Sequence, residues 1–367
     1  MVLTWSEDPK TTQSVQWRTS PDVTNGVVQF KKQDSGDGFA EAPATYQKIQ
    51  DRLLANDRYC HYFTAVLRGL EPGAEYAYRV GSPDGGWSEE KTFRTAPEDS
   101  EPFTFVMFGD THNNEAWGKM LEGAFARHPE TAFYTIAGDL VNTGQYRDDW
   151  DAFFAWSSRV FNQRPVAPTI GNHDVIDGLG SWLYQAVFAL PEDGPPRLAP
   201  ERAYSFEYGN ALFLMPDCTS SEEDQAAWME ARLANTKATW KFAVYHFPPY
   251  SHEEDEYPGI RFLWGGLFDK YHVDFALEGH VHYYMRSHPI YNDKVAESPD
   301  EGTIHLISIG IPSGNPNQER AFPPAWYAAK QYRGDAMYQT FAINGDRLEF
   351  TSYTSDGAVF DSLVIEK

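Results

Sequence analysis

The chain has 367 residues, 41% hydrophobic, 15% aromatic and 23% charged, with 28 Gly and 24 Pro. That composition excludes a disordered or fibrous protein and a small disulfide-stapled scaffold, and the length predicts about two domains with a substantial core. Lys and Arg number 30 against 53 Asp and Glu, a formal charge of −23, which opposes the phosphate contacts that drive nucleic-acid affinity and argues against duplex nucleic acid as a partner. An anionic substrate would need a local positive centre, and bound metal is the simplest candidate.

No uninterrupted apolar run approaches the roughly 18 residues of a membrane span, so none is expected. Met1 to Pro9 lacks a basic region followed by an apolar one, so no export signal is visible. The two cysteines, Cys60 and Cys218, are too few for a disulfide framework and wrongly spaced for a zinc ribbon; two unpaired thiols are the expected state, with one long-range bridge as the alternative.

Residues 1 to about 97 contain short alternating segments: Ser14 to Arg18, Val27 to Phe30, His61 to Leu67, Glu75 to Val80 and Lys91 to Thr95. Turn pairs such as Asn25-Gly26 and Pro72-Gly73 separate them, predicting a small antiparallel sandwich. A polar, proline-bounded link follows over 98–102. From Phe103 onward apolar strands alternate with helical stretches at Glu115 to Arg127, Asp148 to Arg159 and Glu222 to Ala234, which predicts an α/β core over 103–367. The tail returns to strands at Thr303 to Ile309, Tyr338 to Ile343, Leu348 to Tyr353 and Val359 to Ile365, with hairpin turns at Asn344-Gly-Asp and Ser355-Asp-Gly.

Five segments share one pattern, an apolar strand that stops abruptly at metal-ligand residue types. They end in Gly109-Asp110-Thr111-His112, Gly138-Asp139, Gly171-Asn172-His173-Asp174, His246 and Gly279-His280-Val281-His282. In α/β proteins ligands gather beyond the carboxyl ends of strands, so these residues can converge on one crevice. Imidazole, carboxylate and one amide oxygen without thiolate suit iron, manganese, zinc or cobalt rather than a structural zinc or calcium site. More than four such groups with a carboxylate able to bridge argue for two ions.

The ordered set Gly-Asp-x-His, Gly-Asp, Gly-Asn-His-Asp, a lone His and Gly-His-x-His resembles the calcineurin-like metallophosphoesterases over about Phe103 to Met285. The front sandwich resembles a fibronectin type III module through Leu70 to Val80, and the overall layout resembles a purple acid phosphatase. The resemblance implies an antiparallel β-sandwich followed by a four-layer α/β domain, two β-sheets sandwiched by helices. It also implies that Asp110, His112 and His282 hold one metal, that Asn172, His246 and His280 hold the other, and that Asp139 bridges them. His173 would protonate the leaving alkoxide or bond the phosphoryl oxygens, and Asp174 would orient a neighbouring group. The implied reaction is phosphoester hydrolysis by a metal-bridging hydroxide on a small phosphoester, a monoester first and a diester second, in a secreted or periplasmic protein. Asn142 and His112 stand where purple acid phosphatases carry a ligand Tyr and a Gly, so the tyrosinate-to-iron colour is not expected. Two rivals stand beside this reading: a non-catalytic binding protein on the same scaffold, and an enzyme of nucleotides or nucleic-acid ends.

Outside the motifs, Asn113, His252 and Arg286 are candidate substrate contacts, each with an ordinary turn, loop or ion-pair role as the alternative. The run Glu253 to Glu256 reads as a solvated acidic loop. His61, His128, His272, His288 and His305 read as structural or solvated.

Overall fold

The computed structural model describes residues 1–33, 35–36, 38–51, 54, 56–98, 101–175, 180–252, 257–311 and 322–367. Positions 99 and 100 of the expected link and the acidic run Glu253 to Glu256 lie outside them.

The front block is an antiparallel sandwich, as the alternation requires. One sheet runs in the order Val2–Thr4, Thr12–Thr19, Tyr59–Arg68, Thr45–Gln50, and the other centres on Val27–Lys32 and Glu75–Ser82, flanked by Ala40–Pro43, Gly86–Trp87 and Lys91–Arg94. The strand Tyr59–Arg68 is buried on both faces because its two side-chain rows meet different cores. Phe63, Ala65 and Leu67 fill the sandwich with Val15, Trp17 and Tyr78. Cys60 and Tyr62 point the other way, into the main core beside Val2 and Trp5. Both cysteines are buried and free, as expected.

Two further sheets face each other behind this sandwich. The first has the order Val166–Thr169, Thr131–Ala137, Phe103–Phe108, Met337–Asn344, Arg347–Thr354, Val359–Glu366; its first three strands are parallel and the tail adds antiparallel ones. The second runs Tyr204–Tyr208, Ala211–Met215, Trp240–Val244, Phe275–Glu278, Thr303–Ile307, Tyr284–Tyr291, Lys294–Val295, with Ala328–Tyr332 on Tyr284–Tyr291. Parallel strands buried on both faces read as continuous apolar runs, which is how Phe103–Phe108 and Ala211–Met215 appear in the sequence. Between the sheets Phe105 stacks on Phe341 and Phe133 at 4.6 and 5.3 Å and meets Phe213 and Phe242 edge-on at 5.1 Å. Such pairs add about 0.5–1.5 kcal/mol each beyond their buried area.

Helices cover the outer faces. Glu115–Arg127 starts at Asn114, whose side chain accepts from the Ala116 amide, and packs on Arg147–Phe161 where Gly118 meets Trp156; a methyl at position 118 would lie 2.6 Å from the Trp156 Cβ. Glu222–Asn235 covers the second sheet through Met229 and Leu233. No described helix is long and apolar enough to cross a membrane. The strand Tyr284–Tyr291 and the pair Ala40–Pro43 and Thr45–Gln50 were not expected: polar residues break their alternation, and they form because neighbouring strands offer free edges.

The front block is welded to the rest by Trp5, whose ring lies 5.4–5.6 Å from Phe133, Phe206 and Tyr208, and by the buried Arg147, which pairs with Asp57 at 3.0 Å. Trp5→Ala is expected to lower the unfolding free energy by about 3–5 kcal/mol in a single urea transition. A loss below about 1 kcal/mol would show that the two parts are stable independently.

Candidate metal centre

The parallel strands of both sheets end at one rim. There Asp110 makes an isolated bridge to Ile309 of the other sheet, so the ends of Phe103–Phe108 and Thr303–Ile307 meet. The glycines of the motifs serve this approach. A Cβ on Gly279 would sit 2.5 Å from Asp110 Oδ1, and one on Gly171 would sit 2.2 Å from Asp139 Oδ1. His112, Asn113, Asp139, His280 and His282 all adopt left-handed backbone, with φ between 44° and 73°. Non-glycine residues held this way store about 1–3 kcal/mol each and cluster where function requires them.

The two carboxylates are arranged alike. Asp110 Oδ1 accepts the His280 amide at 2.7 Å, and Asp139 Oδ1 accepts the His173 amide at 2.8 Å. Each Oδ2 then faces imidazoles: Asp110 Oδ2 lies 3.0 Å from His282 Nε2 and 3.7 Å from His112 Nε2, while Asp139 Oδ2 lies 3.1 Å from His246 Nε2 and 3.8 Å from His112 Nε2. His112 and His282 bring their Nε2 atoms within 3.3 Å of each other, and His246 Nε2 lies 3.1 Å from Asn172 Oδ1. The His246 and His280 rings are 4.9 Å apart. Donor atoms of Asp110, His112 and His282 lie within 4.8 Å of one another, as do those of Asp139, His246 and His280, and those of His112, Asp139 and His173.

This donor set fits a pair of metal ions. Asp110 and Asp139 are buried, and among the described residues no lysine or arginine pairs with either. Buried carboxylates without cations are costly. The His246 Nδ1–H is given to the Ala137 carbonyl at 2.7 Å, which fixes the tautomer and leaves the Nε2 lone pair for a ligand. Burial favours neutral carboxyls here, yet the surrounding histidines outweigh it and hold Asp110 and Asp139 below the usual range. Burial likewise opposes charge on His246, but Asp139 and Asp110 raise it to about 9. His282 is raised by its bond to Asp110, and burial lowers His280 to about 4. Without metal, a proton on His246 supplies positive charge that the carboxylates require.

His173 gives Nδ1–H to the Asn142 carbonyl at 2.7 Å, since a carbonyl can only accept. Asp174 does not reach the rim. Its Oδ1 accepts the Leu140 and Val141 amides at 3.0 and 3.3 Å and its Oδ2 the Gly171 amide at 2.9 Å, tying the Asp139 loop to the Asn172 loop. The candidate substrate contacts are otherwise engaged. Arg286 is bonded through Nε to Asp361 Oδ2 at 2.7 Å, the ion-pair arrangement named as its alternative. Asn113 Oδ1 accepts the Asn142 amide and its side-chain NH2 at 3.0 and 2.9 Å. His252 Nε2 meets Gln331 at 2.7 Å beside Tyr283, Phe322 and Tyr327. Sequence reasoning noted Asn142 without its bonding role and missed Tyr257, whose hydroxyl lies 3.2 Å from His280 Nε2. The position of Asn142, three residues past Asp139, was the available signal for the first; nothing local marks the second.

Two outcomes follow. Removing the Asp174 carboxylate leaves three buried amides without an acceptor, so Asp174→Ala should cost about 2–4 kcal/mol in denaturant unfolding; an unchanged midpoint would contradict the clamp. For chelated protein, a His246 pKa raised from 6.5 to about 9 contributes stability that is complete below pH 6.5 and lost as pH rises through 9. Its melting temperature should therefore fall between pH 6.5 and 9, and metal should reverse the fall. A flat or rising profile would contradict the electrostatics.

Residues 1–95 match the model of the purple acid phosphatase N-terminal domain, and residues 103–284 match that of the calcineurin-like phosphoesterases. The chain is 28% identical to an uncharacterized protein of Mycobacterium tuberculosis, covering 88% of this chain and 70% of that one. It is 28% identical to the probable purple acid phosphatase 20 of Arabidopsis thaliana, covering 76% of this chain and 67% of that one. The solved structure of purple acid phosphatase PPD1 from yellow lupin (Lupinus luteus) seeds superposes with a TM-score of 0.84 at 22% identity, over all of this chain and 73% of that one, a likeness of fold. With a purple acid phosphatase N-terminal domain before a phosphoesterase domain whose rim gathers these carboxylates and imidazoles, the chain belongs to the calcineurin-like metallophosphoesterases, hydrolases of phosphoric esters.

Proposed function

We propose that this protein hydrolyses small phosphoesters at a two-metal centre, monoesters in first place and diesters in second. Asp110, His112 and His282 would hold one ion, Asn172, His246 and His280 the other, with Asp139 between them. The observation that carries the reading is the convergence of the Asp110 and Asp139 Oδ2 atoms on Nε2 atoms from three histidines, His112, His246 and His282, with no lysine or arginine paired to either carboxylate among the described residues. When bound, two such ions lower the pKa of water and neutralise phosphoryl oxygens; iron, manganese, zinc and cobalt all suit these donors.

The chain's own groups supply the rest. With Nδ1–H held by the Asn142 carbonyl, His173 has Nε2 as its exchangeable position, suited to give a proton to the leaving oxygen or to bond a phosphoryl oxygen. Asn113 supports this indirectly by fixing Asn142. Asp174 and Ala137 hold the loops and ring that present Asp139, Asn172 and His246. The front block, 1–97 with its link 98–102, serves in this reading as a packing module, supported by the placement of Trp5 and Tyr62 in the main core.

Chelation is expected to abolish turnover of p-nitrophenyl phosphate and bis-p-nitrophenyl phosphate, with metal restoring it, and Asp139→Ala and His246→Ala should do the same irreversibly. Activity that survives all three would sink the proposal. His173→Ala is expected to lower turnover by about 10²–10⁴-fold while elemental analysis finds the metal content unchanged; parallel loss of metal would make His173 a ligand.

A further inference from the structure

We propose that Glu278 is a positioning residue whose buried carboxylate, shared by Tyr245 and His305, aligns His246 and His280 from behind the rim. The proposal deepens the two-metal reading and rests on it for its metal readout.

The parallel ladder between Trp240–Val244 and Phe275–Glu278 ends at the pair Val244 and Leu277. Past that point the main chain supplies only the Tyr245 amide to the Leu277 carbonyl at 3.0 Å and the Gly279 amide to the His246 carbonyl at 3.1 Å. Both chains must still deliver imidazoles accurately, one residue later at His246 and two residues after Glu278 at His280, the latter in left-handed backbone with φ 73°. A strained conformation persists only when its surroundings over-determine it.

A side-chain brace lies at this gap. Glu278 Oε1 accepts the Tyr245 hydroxyl and His305 Nδ1–H, both at 2.7 Å. The carboxylate therefore couples the residue directly before one histidine to the residue two before the other, and fastens both to the adjoining strand Thr303–Ile307. All three side chains are buried. The partners are themselves fixed: the Tyr245 ring packs edge-on against Trp264 at 5.5 Å, Tyr250 packs on His305 at 4.7 Å, and the His305 amide donates to Ser287 Oγ at 2.8 Å. Among the described residues Glu278 Oε2 has no hydrogen-bond partner. An apolar residue here would avoid that penalty, so the carboxylate is better explained by what Oε1 holds in place than by net stability.

The test is calorimetric titration of chelated protein with zinc alone, alongside melting of the metal-free proteins. On wild type two ions are expected. Glu278→Ala should weaken one of the two by about 10–100-fold, the usual effect of losing a group that orients a ligand, and leave the other nearly unchanged. Tyr245→Phe, which deletes one hydroxyl and keeps the packed ring, should weaken the same ion by a smaller factor without loss of fold. Glu278→Gln keeps the Oε1 acceptor and should retain affinity. Unchanged affinities in Glu278→Ala, or equal weakening of both ions in step with melting temperature, would overturn the inference alone. Loss in Glu278→Gln as large as in Glu278→Ala would overturn the brace by making charge the cause. Fewer than two ions on wild type would overturn the two-metal reading and this inference with it.

Discussion

Two buried carboxylates at strand ends, with imidazoles but, among the described residues, no lysine or arginine against them, are the constraint around which this molecule is built. Asp110 and Asp139 each give one oxygen to a backbone amide from another motif and turn the other toward the rim. Leaving that second pair of oxygens uncompensated in a dry setting would cost several kcal/mol per ion. A proton on His246 compensates in the metal-free state, and the same donor atoms are grouped closely enough to hold metal ions. Affinity for positive charge is thus a property of the fold, and it explains how a chain of net charge −23 can present an attractive focus to a phosphoester.

Everything else keeps those groups in place. The aromatic layer around Phe105 fixes the spacing of the two sheets, so that their parallel strands end at one rim. Close contacts at Gly171 and Gly279 allow loops from different sheets to touch, and left-handed backbone at His112, Asp139, His280 and His282 turns the side chains inward. Behind the rim, Asp174 ties two loops together, and Glu278 joins two strands where their ladder stops. Even the front sandwich contributes, through Trp5 and the Arg147–Asp57 pair, to the same continuous core.

Much of this was legible in the sequence because it is local. The helix over Glu115 to Arg127 followed from the helical character of its segment, the tail hairpins from their Gly-containing turns, and the rim residues from apolar runs that stop at Asp, Asn or His. Residues whose role is decided by a distant partner were not legible. Arg286 follows the last rim histidine by only four positions, where phosphate contact and an ion pair read alike, and its partner Asp361 comes from the distant tail strand. The partners of Asn113 and His252, Asn142 and Gln331, are likewise distant in sequence. His305 reads as an ordinary strand residue until the fold sets it against Glu278. Periodicity reports which face a side chain occupies, not which partner waits there.

The most direct test of the account is a crystal structure of the protein equilibrated with manganese or zinc, read from anomalous scattering. The account predicts two peaks about 3.5–4 Å apart, one within bonding distance of Asp110, His112 and His282, the other of Asn172, His246 and His280, with Asp139 reaching both. A single peak, or peaks away from these side chains, would contradict it.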